Sequence, residues 1–177
     1  MKTLLLAAAG CLAASCASAQ THQPYAGLEV RPIKSLSEQQ LADLRAGRGM
    51  GLALAAELNG YPGPVHVLEL AEQLGLSAEQ KARVAGLFAA MKAEAVPLGE
   101  RMIVQEAALD RLFAGHTATA ASVAAATADI GETQAKLRAA HLKYHLSTLE
   151  VLQPAQVLRY AELRGYGAGT TTHEHHH

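Results

Sequence analysis

An all-α fold is predicted by three features of the sequence. Half of the 177 residues are hydrophobic with alanine the commonest of them, while Trp is absent and only 2 Phe and 5 Tyr occur, a composition that favours closely packed helices over an aromatic-rich sandwich. Ser-x-x-Gln pairs at Ser37/Gln40 and Ser77/Gln80 have the form of capping boxes at helix starts. Two long segments, from residue 78 and from about residue 120, space their apolar residues in helical steps. The length suits one domain with a packed core. A formal net charge of −1, from 15 Lys+Arg against 16 Asp+Glu, leaves no basic excess to neutralise a phosphate backbone, so nucleic acid is not an expected partner.

The first residues have the order of an export signal. Met1-Lys2 is a short positive start, Thr3 to Cys16 is an apolar run too short for a bilayer anchor, and Ala17-Ser18-Ala19 is a small-x-small cleavage pattern. Cleavage is expected after Ala19, delivering a mature chain to the periplasm and leaving 14 of the 15 basic residues against 16 acidic ones. Cys11 and Cys16 depart with the signal, so neither disulfide nor thiol chemistry is expected. Acylation of Cys16 as a lipoprotein asks for a bulky aliphatic residue three positions earlier, where Ala13 stands. Nothing downstream approaches the ~20 apolar residues of an integral membrane span.

Residues 20–36 carry Pro24, Gly27 and Pro32 without periodicity and read as a flexible arm outside the core. A first helix is expected over 38–58, from the Ser37 cap along Leu41, Leu44, Leu52, Ala55 and Leu58 to Asn59-Gly60. Gly47, Gly49 and Gly51 each cost it about 1 kcal/mol against alanine, so bending or opening is expected at Arg48-Gly49-Met50. After the rigid turn Tyr61-Pro62-Gly63-Pro64, the residues Val67, Leu70, Ala71 and Leu74 form one face of a short helix ending at Gly75.

Ser77 opens a long helix over 78–113 whose seam includes Val84, Leu87, Met91, Ala95, Leu98 and Met102. Pro97 removes a backbone donor and crowds the Ala93 carbonyl, which predicts a kink without termination. Gly115 to Ala118 is a turn, and Thr119 or Ser122 can cap a second long helix over 120–152. There Val123, Ile130, Leu137, Tyr144 and Val151 repeat every seven residues, with Gln134, His141 and Thr148 on the same face. The short connection makes the pair an antiparallel hairpin. Pro154 starts a last helix through Arg164, which completes a helical domain over 37–166, and a histidine-rich tail occupies 167–177.

The sharpest chemical signal is His141 with His145, four residues apart on one helix, a spacing at which two imidazoles can share a metal ion. The same spacing also arises in buried histidines that only hydrogen-bond to a neighbouring helix. His66 and Glu69, three apart on the short helix, and Met50 in the glycine-rich stretch are candidates for further ligands. Their plain alternatives are a solvated face and a core position. The terminal His173-Glu174-His175-His176-His177 reads equally as a native chelating tail or a tag remnant. Imidazoles suit Zn, Cu and Ni, and the clustered oxygens that calcium and magnesium need are missing. No strand-borne phosphate loop or Gly-x-Ser-x-Gly elbow is present, so an enzyme is not expected.

Leu76-Ser77-Ala78-Glu79-Gln80 and Leu152-Gln153-Pro154-Ala155-Gln156, each opening a helix, resemble the paired Leu-Thr-x-x-Gln motifs of the Spy/CpxP family of periplasmic proteins. Serine keeps the capping hydroxyl of the first copy, and Gln153 lacks it in the second. The stretches 59–80 and 141–156 are most similar to the periplasmic heavy-metal sensor branch, which is CnrX/ZraP-like. The resemblance implies a four-helix fold with a long helical hairpin that often pairs into a dimeric cradle. It implies either metal sensing or the holding of unfolded periplasmic proteins, with a homodimer and a membrane sensor protein as partners. In that branch a histidine followed four residues later by His or Met contributes to the metal site, the neighbourhood of His141 and His145. The branch's paired amino-terminal histidines have no counterpart, since His22 stands alone.

The function expected from the sequence is therefore a periplasmic metal-binding stress protein that senses or buffers Zn, Cu or Ni. Binding needs neutral imidazole and weakens below about pH 6.5. The alternative is an ATP-independent chaperone or envelope-stress adaptor, whose apolar face carries Met91 and Met102 as adaptable client-binding residues.

Overall fold

The structure, a computed structural model, describes residues 24–166. The expected signal segment, the start of the arm and the histidine-rich tail lie outside the described residues. Six helices occur among the described residues: α1 Glu38–Ala46, α2 Leu54–Glu57, α3 Pro64–Glu69, α4 Ala78–Ala114, α5 Ala120–Leu149 and α6 Pro154–Arg164. The all-α expectation holds among the described residues, and none of these helices is long and apolar enough to cross a membrane.

The long helices start where the sequence caps them. Ser37 and Ser77 accept from the N–H groups of Gln40 and Gln80, whose side chains accept from the serine N–H in return. Thr119 is the cap of α5, with Ser122 completing its box. α4 runs unbroken through Pro97. It meets α5 antiparallel: Gln80 bonds the Val151 carbonyl, Glu94 binds Lys143 and Tyr144, and Gln105 reaches the Asp129 carbonyl, in opposite order along the two helices.

Three expectations need correction. The helix expected over 38–58 ends at Ala46, where Gly47 turns left-handed at φ 64°, and only the single turn of α2 resumes it after the glycine-rich loop. Pro64, already set at helical φ, starts α3 before the expected apolar face, and the chain leaves helix at Leu70. The arm joins the core at its end. Ile33 and Leu36 are buried with Leu41, Leu44, Ala95, Ile103 and Leu137, while Lys34 pairs with Asp110 and Ser35 with Glu106. Burial of two large aliphatic side chains outweighs the turn-forming composition around them.

A second apolar cluster gathers Val67, Leu74, Leu76, Val84, Val151, Leu152 and Tyr160 at the other end of the hairpin. The two Leu-x-x-x-Gln motifs meet there. Gln80 Nε2 donates to Gln156 Oε1 at 2.8 Å and to the Val151 carbonyl, and Gln156 Nε2 donates to Gln80 Oε1 at 3.2 Å and to the Leu74 carbonyl. Each glutamine also accepts from the N–H of its own helix cap, Ser77 or Gln153. Gln153 lacks the hydroxyl, so the Gln156 N–H turns to the Gln153 backbone carbonyl.

Removing either glutamine strands half-buried carbonyls and amides. Gln80→Ala and Gln156→Ala are each expected to lower the unfolding free energy by about 1–3 kcal/mol. The double variant is expected to lose less than their sum by at least ~0.5 kcal/mol; urea denaturation of the four proteins measures the coupling.

Candidate functional site

Between the two apolar clusters the interior becomes polar. Along α5, His141, His145 and Thr148 lie between Leu137 of one cluster and Val151 of the other, and all three are buried. Facing them on α4 is buried Met91, and from the end of α2 comes Glu57, a carboxylate only 7% exposed. Thr148 satisfies itself by donating to the Tyr144 carbonyl one turn back. The others need partners from the loops.

His145 finds one in the turn between α2 and α3. Its Nδ1 lies 2.7 Å from the Tyr61 carbonyl oxygen. A carbonyl only accepts, so Nδ1 carries the proton and Nε2 is left with its lone pair. Gly63 lets the ring sit there, since a Cβ at that position falls 3.0 Å from Nε2 and 2.9 Å from Cε1. Glu57 Oε2 stands 3.7 Å from the protonated Nδ1 and accepts from the Gly63 N–H at 3.1 Å. Its other oxygen accepts from the Tyr160 hydroxyl in a short bond and from the Tyr166 hydroxyl at 2.8 Å, with Arg164 Nε at 3.8 Å. Burial first, then the bond to Glu57, pushes the Tyr160 hydroxyl far above the usual phenol range. Glu57 is thereby fully engaged, tying α2 to α6 behind the histidine.

His141 faces the glycine-rich loop. Its Nδ1 lies 3.6 Å from the point where a Cβ of Gly49 would stand. Its Nε2 is buried without a hydrogen-bond partner among the described residues. Burial, and then the neighbouring His145, hold its pKa below the ordinary imidazole value.

A cavity of about 190 Å³ opens in front of His145, with Met50, Glu57, Gly63, His66 and Met91 in its walls. A cleft of about 420 Å³ adjoins it, sharing Gly49, Val65, His66 and Met91. The expected site residues separate accordingly. His145, His66 and Met50 reach the same cavity, whereas His141 lies behind Gly49. Glu69 lines only the cleft, where its Oε2 holds His66 Nδ1 at 3.0 Å.

The two methionines expected to face clients do not. Met91 is buried and Met102 packs against the first apolar cluster, because the seam positions they occupy point into the hairpin. Among the described residues no three His, Cys, Asp or Glu side chains converge as a metal cage; the cavity is lined by Glu57, His66, His145, Met50 and Met91.

Sequence reasoning missed Glu57, Tyr61, Gly63 and Met91 as parts of this site. Nothing in the sequence sets Glu57 apart from carboxylates on solvated helix faces, and the Tyr61 contribution is a backbone carbonyl. Met91 carries the same apolar periodicity as its core neighbours. Comparisons with family models, with characterised proteins and with solved structures return no match to this chain.

With its folded-state pKa below about 6.5, His141 is protonated more readily in the unfolded chain. Its contribution to stability is full above about pH 6.5 and is lost as pH falls from there towards the lower folded-state value. His141→Leu is expected to flatten the decline in unfolding free energy between about pH 7 and pH 5. It is also expected to hold or raise stability at about pH 7.5, because an unpartnered buried nitrogen is removed; urea denaturation across that pH range reads both effects.

Proposed function

We propose that this protein binds a transition-metal ion in the cavity in front of His145 and senses or buffers that metal in the periplasm. The observation that carries the reading is the orientation of His145. Its Nδ1–H is committed to a backbone carbonyl, with a carboxylate close behind, which leaves Nε2 uncommitted, and the residue lines a cavity that His66, Met50 and Met91 also line. Metal-ligating histidines are held in this way, one nitrogen fixed by a carbonyl or carboxylate so that the other is presented to the ion. The export-signal pattern and the paired Leu-x-x-x-Gln motifs support the periplasmic setting and kinship with Spy/CpxP-like sensors, and with it a homodimer and a membrane sensor protein as partners.

Calorimetric titration of the full chain, with His173, His175, His176 and His177 replaced by alanine, tests the reading. Binding of Zn, Cu or Ni is expected in this background and is expected to disappear in His145→Ala. Gly63→Ala, which forces the ring away from its seat, is expected to weaken binding by about 10–100-fold while the helical circular dichroism is retained. Equal binding by the parent and His145→Ala sinks the proposal.

A second reading, ATP-independent holding of unfolded periplasmic proteins, draws on a different observation. Ala55, Ala56, Tyr61, Leu142 and Leu146 line an apolar groove of about 250 Å³ on the outer face of α5, where Leu146 is half-exposed. Leu146→Glu is expected to abolish any suppression of client aggregation at near-stoichiometric ratio without nucleotide, and to leave metal titration unchanged. Light scattering of a denatured client measures it.

A further inference from the structure

The cavity's donor set says more than that a metal binds. We infer that its preferred ion is cuprous copper, held by His145 Nε2 and the thioethers of Met50 and Met91. This deepens the metal-binding reading above and rests on it.

The first argument is ligand chemistry. Zinc and nickel sites are built from several imidazoles, thiolates or carboxylates, and no three such side chains converge among the described residues. The carboxylate in the cavity wall, Glu57, already accepts from Tyr160, Tyr166 and the Gly63 N–H. Two methionines line the cavity with the histidine instead, and thioether sulfur selects Cu(I).

The second argument is charge. The cost of taking an ion out of water rises with the square of its charge, so a dication costs about four times as much as a monocation in the same half-buried cavity. A neutral N,S,S donor set offsets the smaller penalty more readily. The Glu57 carboxylate behind His145 supplies a favourable field without being a ligand.

The third argument is the backbone at Met50. This residue has φ 43°, in the left-handed region, between Gly49 and Gly51. A side chain there costs about 1–2 kcal/mol that glycine would not. Neighbouring positions in this loop are glycine, so the loop tolerates glycine readily, yet at this position it carries a methionine, which lies at the wall of the cavity and also of the apolar pocket beside Leu44 and Leu137. Strain kept at one residue of an otherwise permissive loop points to use of its side chain. Met91 is buried on α4 and lines both the cavity and the adjoining cleft, so its sulfur belongs to a rigid element while Met50 belongs to a loop.

The test is a pair of affinities measured on the full chain with Cys11, Cys16 and the four tail histidines replaced by alanine, so that neither thiols nor tail imidazoles compete for copper. Cu(I) affinity is measured under nitrogen with ascorbate, by competition against bicinchoninate, and Zn affinity by calorimetry. The parent is expected to bind Cu(I) more tightly than Zn. Met91→Leu and Met50→Leu are each expected to lower Cu(I) affinity by at least about tenfold with Zn affinity unchanged, and X-ray absorption of the loaded parent is expected to show sulfur around copper. Met50→Gly separates a ligand from a packing role, since it is expected to raise the melting temperature of the metal-free protein and still to lose Cu(I) affinity. Retained circular dichroism in each variant excludes unfolding as the cause. Zn bound as tightly as Cu(I), or Cu(I) affinity untouched by both methionine substitutions, overturns this inference and leaves the metal reading standing. Loss of neither metal in His145→Ala overturns both.

Discussion

The reciprocal pair Gln80 and Gln156 is the constraint on which the arrangement of the other elements depends. Each side chain serves three clients at once: the N–H of its own helix cap, a carbonyl from a distant segment, and the other glutamine. The start of α4, the start of α6, the end of the α5 segment and the chain leaving α3 are therefore fixed at one point. An apolar contact at the same place would bury comparable area but leave rotation and register free. A half-buried network of directional bonds with every donor and acceptor used specifies one geometry. That fixes where α5 ends relative to α3, and hence where His145 stands relative to the Tyr61 carbonyl and Gly63.

Much of this was legible in the residues. The caps at Ser37, Ser77 and Thr119, the two long helices and the turn between them follow from local chemistry that tertiary packing does not need to override. Two failures have a common cause. The apolar stripe that resumes at Leu52 makes 38–58 read as one helix that bends or opens at Arg48-Gly49-Met50, whereas three glycines in five residues end it outright where no continuous packed face holds them. The prolines make the arm read as flexible, although two aliphatic residues within four positions of the Ser37 cap are enough to draw its end onto α4. In both places the outcome depends on what lies opposite in space.

The site was legible only in part. Spacing along one helix identifies His141 and His145 as neighbours, and the apolar repeat places His141 towards the interior, where both are buried. Spacing does not reveal which ring meets a cavity. That is decided by the α2–α3 turn, in which a backbone carbonyl and a missing Cβ seat one imidazole, and by a carboxylate whose tyrosine partners are more than a hundred residues away. The buried polar belt between the two apolar clusters also carries an energetic cost. Two imidazoles and a carboxylate replace what could have been aliphatic packing, and only one of the imidazoles has a protein partner.

Pro97 gives the long hairpin a mechanical asymmetry. The ring deprives the Ala93 carbonyl of its helical donor less than one turn from Met91, so α4 is most compliant close to the polar belt. From Pro97 to Ala114 the helix extends about 26 Å at 1.5 Å per residue. Beyond Ile103 it carries few fully buried side chains. A bend of about 10° at the proline therefore carries the hairpin tip through about 4–5 Å. Any small change of angle at Pro97 is thereby multiplied along the residues that follow it to the hairpin tip.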